Sequence, residues 1–222
     1  MKEQADYEKV IDYIENEITT QHLKLGDRLP AEREISSALG VSRGSVRIGL
    51  NVLEALGVID NKHGSGNYIT DHFDRKLVQV MTMMYTLDDM PDQDILAFRY
   101  AAEQQAAILA IQNITDDQKK LLKNYLQIME TSKNEEERSH CDAMIHQTIV
   151  EASHNRLITA NYLALNRIME RQVRQARERV SSNSREAAER FQQTHRDLVY
   201  GICIGDIEKT RQALAVHYDF LM

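Results

Sequence analysis

Four residues in the C-terminal half of this 222-residue chain carry the atom types of a metal centre. Asp142 and His146 lie four apart in a stretch of helical periodicity, so both side chains leave the same helix face. His195 and His217 stand on later helical segments. Imidazole nitrogens with a carboxylate oxygen suit Zn²⁺, Ni²⁺, Mn²⁺ or Fe²⁺, and helical bundles build such sites from several facing helices. Spacing alone leaves an ordinary surface pair open, because eight histidines are scattered along the chain. A second set lies near the N-terminus. Arg43 and Arg47, again four apart, open a helix that Ser42 can cap, with Ser45 between them. The arginine fork pairs bidentately with guanine O6 and N7, at about 1–3 kcal/mol of discrimination per good pair. Arg33, on the preceding helix, is placed to reach a phosphate or a base, and Ser42 and Ser45 can donate to phosphates. Gly44 leaves room for a duplex to approach, and His63-Gly64, in a glycine-bearing loop, are candidate minor-groove or phosphate contacts.

The elements that must position these groups are legible in the apolar spacing. Tyr7, Val10, Ile11, Ile14 and Ile18 share one helical face. Pro30 suits the first turn of a short helix over 31–39, which Gly40 ends in a left-handed position. From Ser42 a third helix runs to Leu56 and stops at Gly57, with Val46, Leu50 and Leu53 on its inner face. Helix, tight turn and helix make a helix-turn-helix. Two short β-like runs, 58–60 and 67–70, then flank the polar loop 62–66 and read as a wing. Beyond Phe73 strand signals vanish, and seven helical segments follow at about 75–86, 92–112, 116–131, 135–152, 155–180, 184–202 and 206–221. Thr115 with Gln118 makes a capping box for one of them, Ser184 caps another, and Gly205 separates the last two. The expected fold is mainly α: a winged helix-turn-helix of three helices and a two-stranded wing over 1–72, and an all-α bundle of about seven helices over 73–222.

Composition narrows the function classes. Two cysteines are too few for a disulfide framework, no stretch is long and apolar enough for a membrane span, and no secretory signal is evident, so a reducing cytoplasm is the expected location. A net charge of −7 excludes a generic cationic coat for nucleic acid. Locally the balance shifts: residues 24–70 hold six Lys/Arg against five Asp/Glu, while the whole chain holds 27 against 34.

At residues 25–33 (Leu-Gly-Asp-Arg-Leu-Pro-Ala-Glu-Arg), 39–47 (Leu-Gly-Val-Ser-Arg-Gly-Ser-Val-Arg), 53–57 and 63–66 the chain resembles the GntR-type regulators. The resemblance implies a homodimeric bacterial transcription factor that binds double-stranded operator DNA through Arg33, Arg43, Arg47 and the wing at His63-Gly64. Ile48 and Gly49 depart from the commoner Glu-Ala pair, a change expected to act on helix propensity rather than on contacts. Residues 75–222 are similar to the FCD effector domain of the FadR subfamily, through Asp142-Ala-Met-Ile-His146, Asn155, His195, Gly205-Asp206 and His217. In that family an Asp and three His bind a divalent metal at a cavity floor. The resemblance also implies that Arg99 meets the acid group of a small carboxylate effector, and it makes Asn155 a candidate for the same cavity.

The resulting expectation is a ligand-responsive transcriptional regulator acting as a repressor, and not an enzyme. Two other readings fit the same residues: a regulator that senses the metal itself, and a metal-dependent hydrolase or lyase with Glu103 as its base. Several further clusters carry plainer expectations. Arg167, Arg171, Arg174, Arg177 and Arg179 read as a solvated helix face paired with Glu170 and Glu178. Met81, Met83 and Met84 read as packing filler. Glu135-Glu136-Glu137 read as a favourable first helical turn, and Arg99 has a competing partner in Glu103 at i+4.

Overall fold

A computed structural model of the chain describes residues 4–70, 73–88 and 91–221, with side chains for all of these except 73–75, 167–173, 176, 178 and 180–183. The chain divides into two compact units, Met1–Val80 and Met81–Met222.

In the first unit, α1 (Asp6–Thr19), α2 (Glu32–Leu39) and α3 (Arg43–Ala55) precede an antiparallel pair, β1 (Ile59–Lys62) and β2 (Gly66–Ile69), registered with Ile59 opposite Ile69. Gly40 takes the left-handed conformation past α2 (φ 65°), which only a residue without Cβ adopts cheaply. Ser42 then caps α3 by accepting from the Ser45 amide at 3.0 Å, so turn and second helix start within three residues. Val10, Ile14, Ile35, Val46, Leu50, Leu53, Ile59 and Ile69 form the core beneath. Gly49 does more than lower helix propensity: a Cβ there would lie 2.8 Å from Val10 Cβ and 2.9 Å from the Tyr7 carbonyl oxygen, so this glycine lets α1 and α3 approach. The wing has an addition that periodicity did not reveal: Leu29 N donates to Asn67 O, Ile69 N to Asp27 O and Gly26 N to Ile69 O, each at 2.9 Å. The segment after α1 thus pairs with the outer edge of β2.

α4 (Phe73–Leu87) runs across the division between the units. Met83 and Met84 on it are 50% and 58% exposed, so they are not the packing filler expected from the sequence. α5 (Asp92–Asn113), α6 (Asp116–Thr131), α7 (Glu135–Ala152), α8 (Arg156–Asn183), α9 (Arg185–Ile204) and α10 (Ile207–Asp219) follow, giving ten helices among the described residues. Most begin at a side-chain cap: Thr115 with Gln118 for α6, Asn134 for α7, Asn155 for α8, Ser184 for α9 and Asp206 for α10. Gly205 (φ 78°) ends α9. Leu122, Met129, Ile145, Ile149, Leu198, Ile202, Leu214 and Tyr218 fill the core. α5 packs against α7, α8, α9 and α10, so its side chains face four neighbours at once. Two of those inward side chains, Arg99 and Glu103, are charged, and they border the site.

Candidate metal centre and nucleic-acid interface

In the first unit the sequence-predicted contact residues lie on α2 (Arg33), at the start of α3 (Ser42, Arg43, Ser45 and Arg47) and in the turn between β1 and β2 (His63 and Gly64). Arg33, Arg43 and Arg47 are exposed, and Ser42 is committed locally, bonding the Ser45 hydroxyl at 2.9 Å besides the cap. Glu32, which sequence reasoning did not single out, pairs with both arginines of α3: Arg47 donates to it at 3.0 and 3.3 Å, and Arg43 lies 3.9 Å away. This half-buried carboxylate is the arginines' partner in the chain alone. Gly64 (φ 75°) forms the wing's turn beside exposed His63, and Lys62 stacks over Tyr68 at 4.6 Å.

In the second unit the four predicted ligands meet. Asp142, His146, His195 and His217 each offer a ligand atom, all within 4.8 Å of one another, and all four residues are buried. α7 supplies Asp142 and His146 from successive turns, α9 supplies His195 and α10 supplies His217. Oδ1 of Asp142 lies 3.3 Å from Nε2 of both His146 and His195. Those two ring nitrogens are buried and make no hydrogen bond, which is costly unless something else ligates them. The tautomers agree with that. His195 Nδ1 faces the Phe191 carbonyl at 3.2 Å, and a carbonyl can only accept, so Nδ1 carries the hydrogen. Thr194 donates its hydroxyl to the same carbonyl at 2.7 Å, which leaves its oxygen to accept from His217 Nδ1 at 3.2 Å. Glu103 likewise accepts from His146 Nδ1. Each imidazole is therefore oriented from behind, and the lone pair of a neutral ring sits on Nε2. A donor set of three such nitrogens and a carboxylate oxygen fits a borderline divalent ion.

The neighbours of Asp142 hold it as a carboxylate. Burial pushes the Asp142 carboxyl up, but His195 and Arg177 outweigh it and hold Asp142 well below the usual carboxylate range. Burial pushes His146 down, yet Glu103 and Asp142 raise it to about 9. Burial, and then the neighbouring His195 and His146, hold His217 well below its ordinary value. Glu103, the candidate base of the enzyme reading, is fully buried and also accepts from Tyr218 Oη at 2.7 Å, so both oxygens are engaged.

Beside the centre lies a cavity of about 630 Å³ between α7 and α8, with Arg99 of α5 and Asp142 among its lining residues. Arg99 is buried and donates to Tyr162 Oη at 2.8 Å, with its guanidinium 5.0 Å over that ring. The cavity wall also carries Ser139, His140, Gln147, Asn166 and Arg174. Among the described residues Asn155 does not line it; its carboxamide oxygen accepts from Leu157 N and Ile158 N at 3.1 Å, because it caps α8. The basic stretch of α8 also departs from expectation. Arg177 is buried, bonded to Asp142 Oδ2 and, at 3.0 Å, to Glu135, so it belongs to the centre and not to a solvated face. Arg174 and Arg179 are exposed, and the side chains of Arg167, Glu170, Arg171 and Glu178 lie outside the described residues. Glu135 opens α7 as expected but also holds Arg177. Nothing in the local sequence marks Arg177 or Tyr162, since their partners are 35 and 63 residues distant.

Known protein families match a stretch of each unit. The FCD domain family matches residues 94–220, and the family of bacterial regulatory proteins called gntR matches residues 6–69. An Escherichia coli (strain K12) protein provisionally named as the L-lactate dehydrogenase operon regulatory protein is 28% identical over 218 residues, spanning 96% of this chain and 84% of its own. The Glc operon transcriptional activator of the same strain is 28% identical over 168 residues, spanning 73% of this chain and 66% of its own. Among solved structures, Streptococcus agalactiae GntR superposes with a TM-score of 0.62 at 21% identity, covering 96% of this chain and 97% of that one.

Proposed function

The chain belongs to the gntR family of bacterial regulatory proteins and is a DNA-binding transcriptional regulator with an FCD effector domain, not an enzyme; on that premise we propose that it is a homodimeric repressor released or recruited by a small organic acid bound at a divalent metal. The observation that carries this reading is the buried Asp142, His146, His195 and His217 set, with two ring nitrogens otherwise unligated, opening beside a cavity that Arg99 lines.

These four residues would hold the ion, which supplies a Lewis-acidic position for an oxygen of the effector. Arg99 supplies the complementary half, because a guanidinium pairs bidentately with a carboxylate. The name of one relative refers to an enzyme of L-lactate, a 2-hydroxy acid, which agrees with that chemistry. Gln147, Asn166 and Ser139 on the wall can meet hydroxyls further along the effector. On the DNA side, Arg33, Arg43 and Arg47 on α2 and α3, with Ser42, Ser45, His63 and Gly64, form the proposed contact surface. A dimer sets two such helices on a palindromic site. Repression needs only occupancy of the operator, whereas activation needs a further surface for the transcription machinery.

The deciding experiment is a thermal-shift screen of metal-loaded and chelator-stripped protein against mono-, di- and hydroxycarboxylates. The reading expects at least one acid to raise Tm only when metal is present. Metal-dependent operator binding with no acid effect would instead make the ion itself the signal, and a chain that takes up no metal would end both readings.

A further inference from the structure

Arg177 is the buried cation at the metal centre that the function above does not use. Its guanidinium reaches Asp142 Oδ2 through Nη1 and Glu135 Oε1 through Nε at 3.0 Å. It also lies 5.7 Å over the Phe191 ring. Phe191 is in turn stacked on His217 at 5.0 Å and edge-on to His195 at 5.0 Å, so the guanidinium, the ring and two ligand imidazoles form one packed block. The two oxygens of Asp142 are thereby divided. Oδ1 faces His146 and His195 at 3.3 Å each, and Oδ2 is taken by Arg177.

We propose that Arg177 is a positioning residue that withholds Oδ2 of Asp142, so that the carboxylate gives an ion one oxygen and leaves a position for an external acid. This rests on the metal reading above. The physical case has three parts. An aspartate with both oxygens free can close on an ion with both, and the second oxygen would then compete with an incoming carboxylate for the same place. A charge-assisted bond from a buried guanidinium is among the strong hydrogen bonds, so Oδ2 is not lightly surrendered. Glu135 and the Phe191 face keep the guanidinium from following the carboxylate inward. Outer groups of this kind typically change metal affinity or activity by about 10–100-fold when removed.

The test uses the full-length chain loaded with Co²⁺, whose visible absorption reports its ligands, with acetate and L-lactate as probes. Arg177→Met keeps the stem and removes the donors; Arg177→Lys keeps a charge that can still reach Oδ2. Circular dichroism and cobalt stoichiometry are recorded for each. The proposal expects one cobalt per chain in all three proteins and a visible spectrum altered in Arg177→Met. It also expects an apparent Kd for the better probe weakened by about tenfold or more, with Arg177→Lys close to the parent. An unchanged spectrum and unchanged probe affinity in Arg177→Met would overturn it. So would loss of cobalt from a folded Arg177→Met, since Arg177 would then be building the site and not dividing the carboxylate. If Arg177→Met fails to fold, Arg177→Lys decides through the same two readouts together with Glu135→Gln, which removes the guanidinium's second anchor: Lys must match the parent and Gln must weaken the probe. A parent chain that takes up no cobalt removes the metal reading itself. A parent that binds cobalt but whose spectrum ignores both probes removes this proposal alone.

Discussion

Each ligand side chain at the centre is fixed by a second residue whose role is visible only in three dimensions. Glu103 is the clearest case. Its carboxylate is fully buried and bonds both His146 Nδ1 and Tyr218 Oη. Glu103→Gln keeps the shape but replaces the anion behind His146 with a neutral amide. The expected result is a divalent-metal affinity weakened by about 10–100-fold, read by competition with a chromophoric chelator; an affinity equal to the parent's would show that Glu103 does not orient His146. On the DNA side, Arg43→Ala is expected to weaken operator binding by about tenfold or more in a fluorescence-anisotropy titration, while metal content stays at the parent's level. Glu32 gives the opposite sign. It holds Arg47 at 3.0 Å and stands 3.9 Å from Arg43, so Glu32→Gln removes an anion that competes with phosphates. Affinity for operator and for scrambled DNA should both rise in the same titration. A fall would mean that Glu32 holds the arginines in their DNA-reading pose.

At the scale of the elements, close helix contacts at glycine decide what a substitution does. An added Cβ at Gly201 of α9 would stand 2.5 Å from Thr210 Oγ1 and 3.1 Å from Thr210 N of α10. The threonine hydroxyl is tied to the Asp206 carbonyl at 2.7 Å, so neither atom is free to swing aside. Gly201→Ala should cost about 1–3 kcal/mol, seen as a lower urea midpoint. Because α9 and α10 carry His195 and His217, it should also lower metal affinity; a full-strength site in a destabilised protein would separate the two effects. Helix starts and stops were legible in the sequence because they are local: Ser42, Thr115, Ser184, Gly40 and Gly205 act within a few residues of themselves. The four ligands were legible only through residue type and family resemblance, since α7, α9 and α10 must pack before they meet. The sequence places Arg177 on a solvated face because a basic run on a helix carries no mark of a carboxylate 35 residues upstream. Family resemblance offers Asn155 to the effector, whereas its side chain does what an Asn before a helix ordinarily does and caps it.

For the whole molecule, the proposed regulation by an acid requires that the acid bind the DNA-competent and DNA-incompetent states with different affinity, because equal affinity moves no equilibrium however tight it is. The centre is suited to register occupancy. Its ligands come from α7, α9 and α10, and Arg99 comes from α5, which packs against all three, so an acid bridging ion and guanidinium would couple four helices. Binding to the folded state alone stabilises it by RT ln(1 + [L]/Kd), about 2.7 kcal/mol at a hundredfold excess. Removing the metal with chelator should therefore lower Tm and also abolish any further shift from the acid. The stricter expectation follows from linkage. If the acid changes operator affinity by some factor, operator must change acid affinity by the same factor, and couplings of this kind usually lie between about 5- and 150-fold. Calorimetric titration of the acid into free protein and into the protein–operator complex measures one side, and operator titration with and without saturating acid measures the other. Matching factors, both lost in Arg99→Met, would tie the signal to this cavity. An acid that binds with the same affinity in both titrations would leave the metal ion as the signal that the bundle reads.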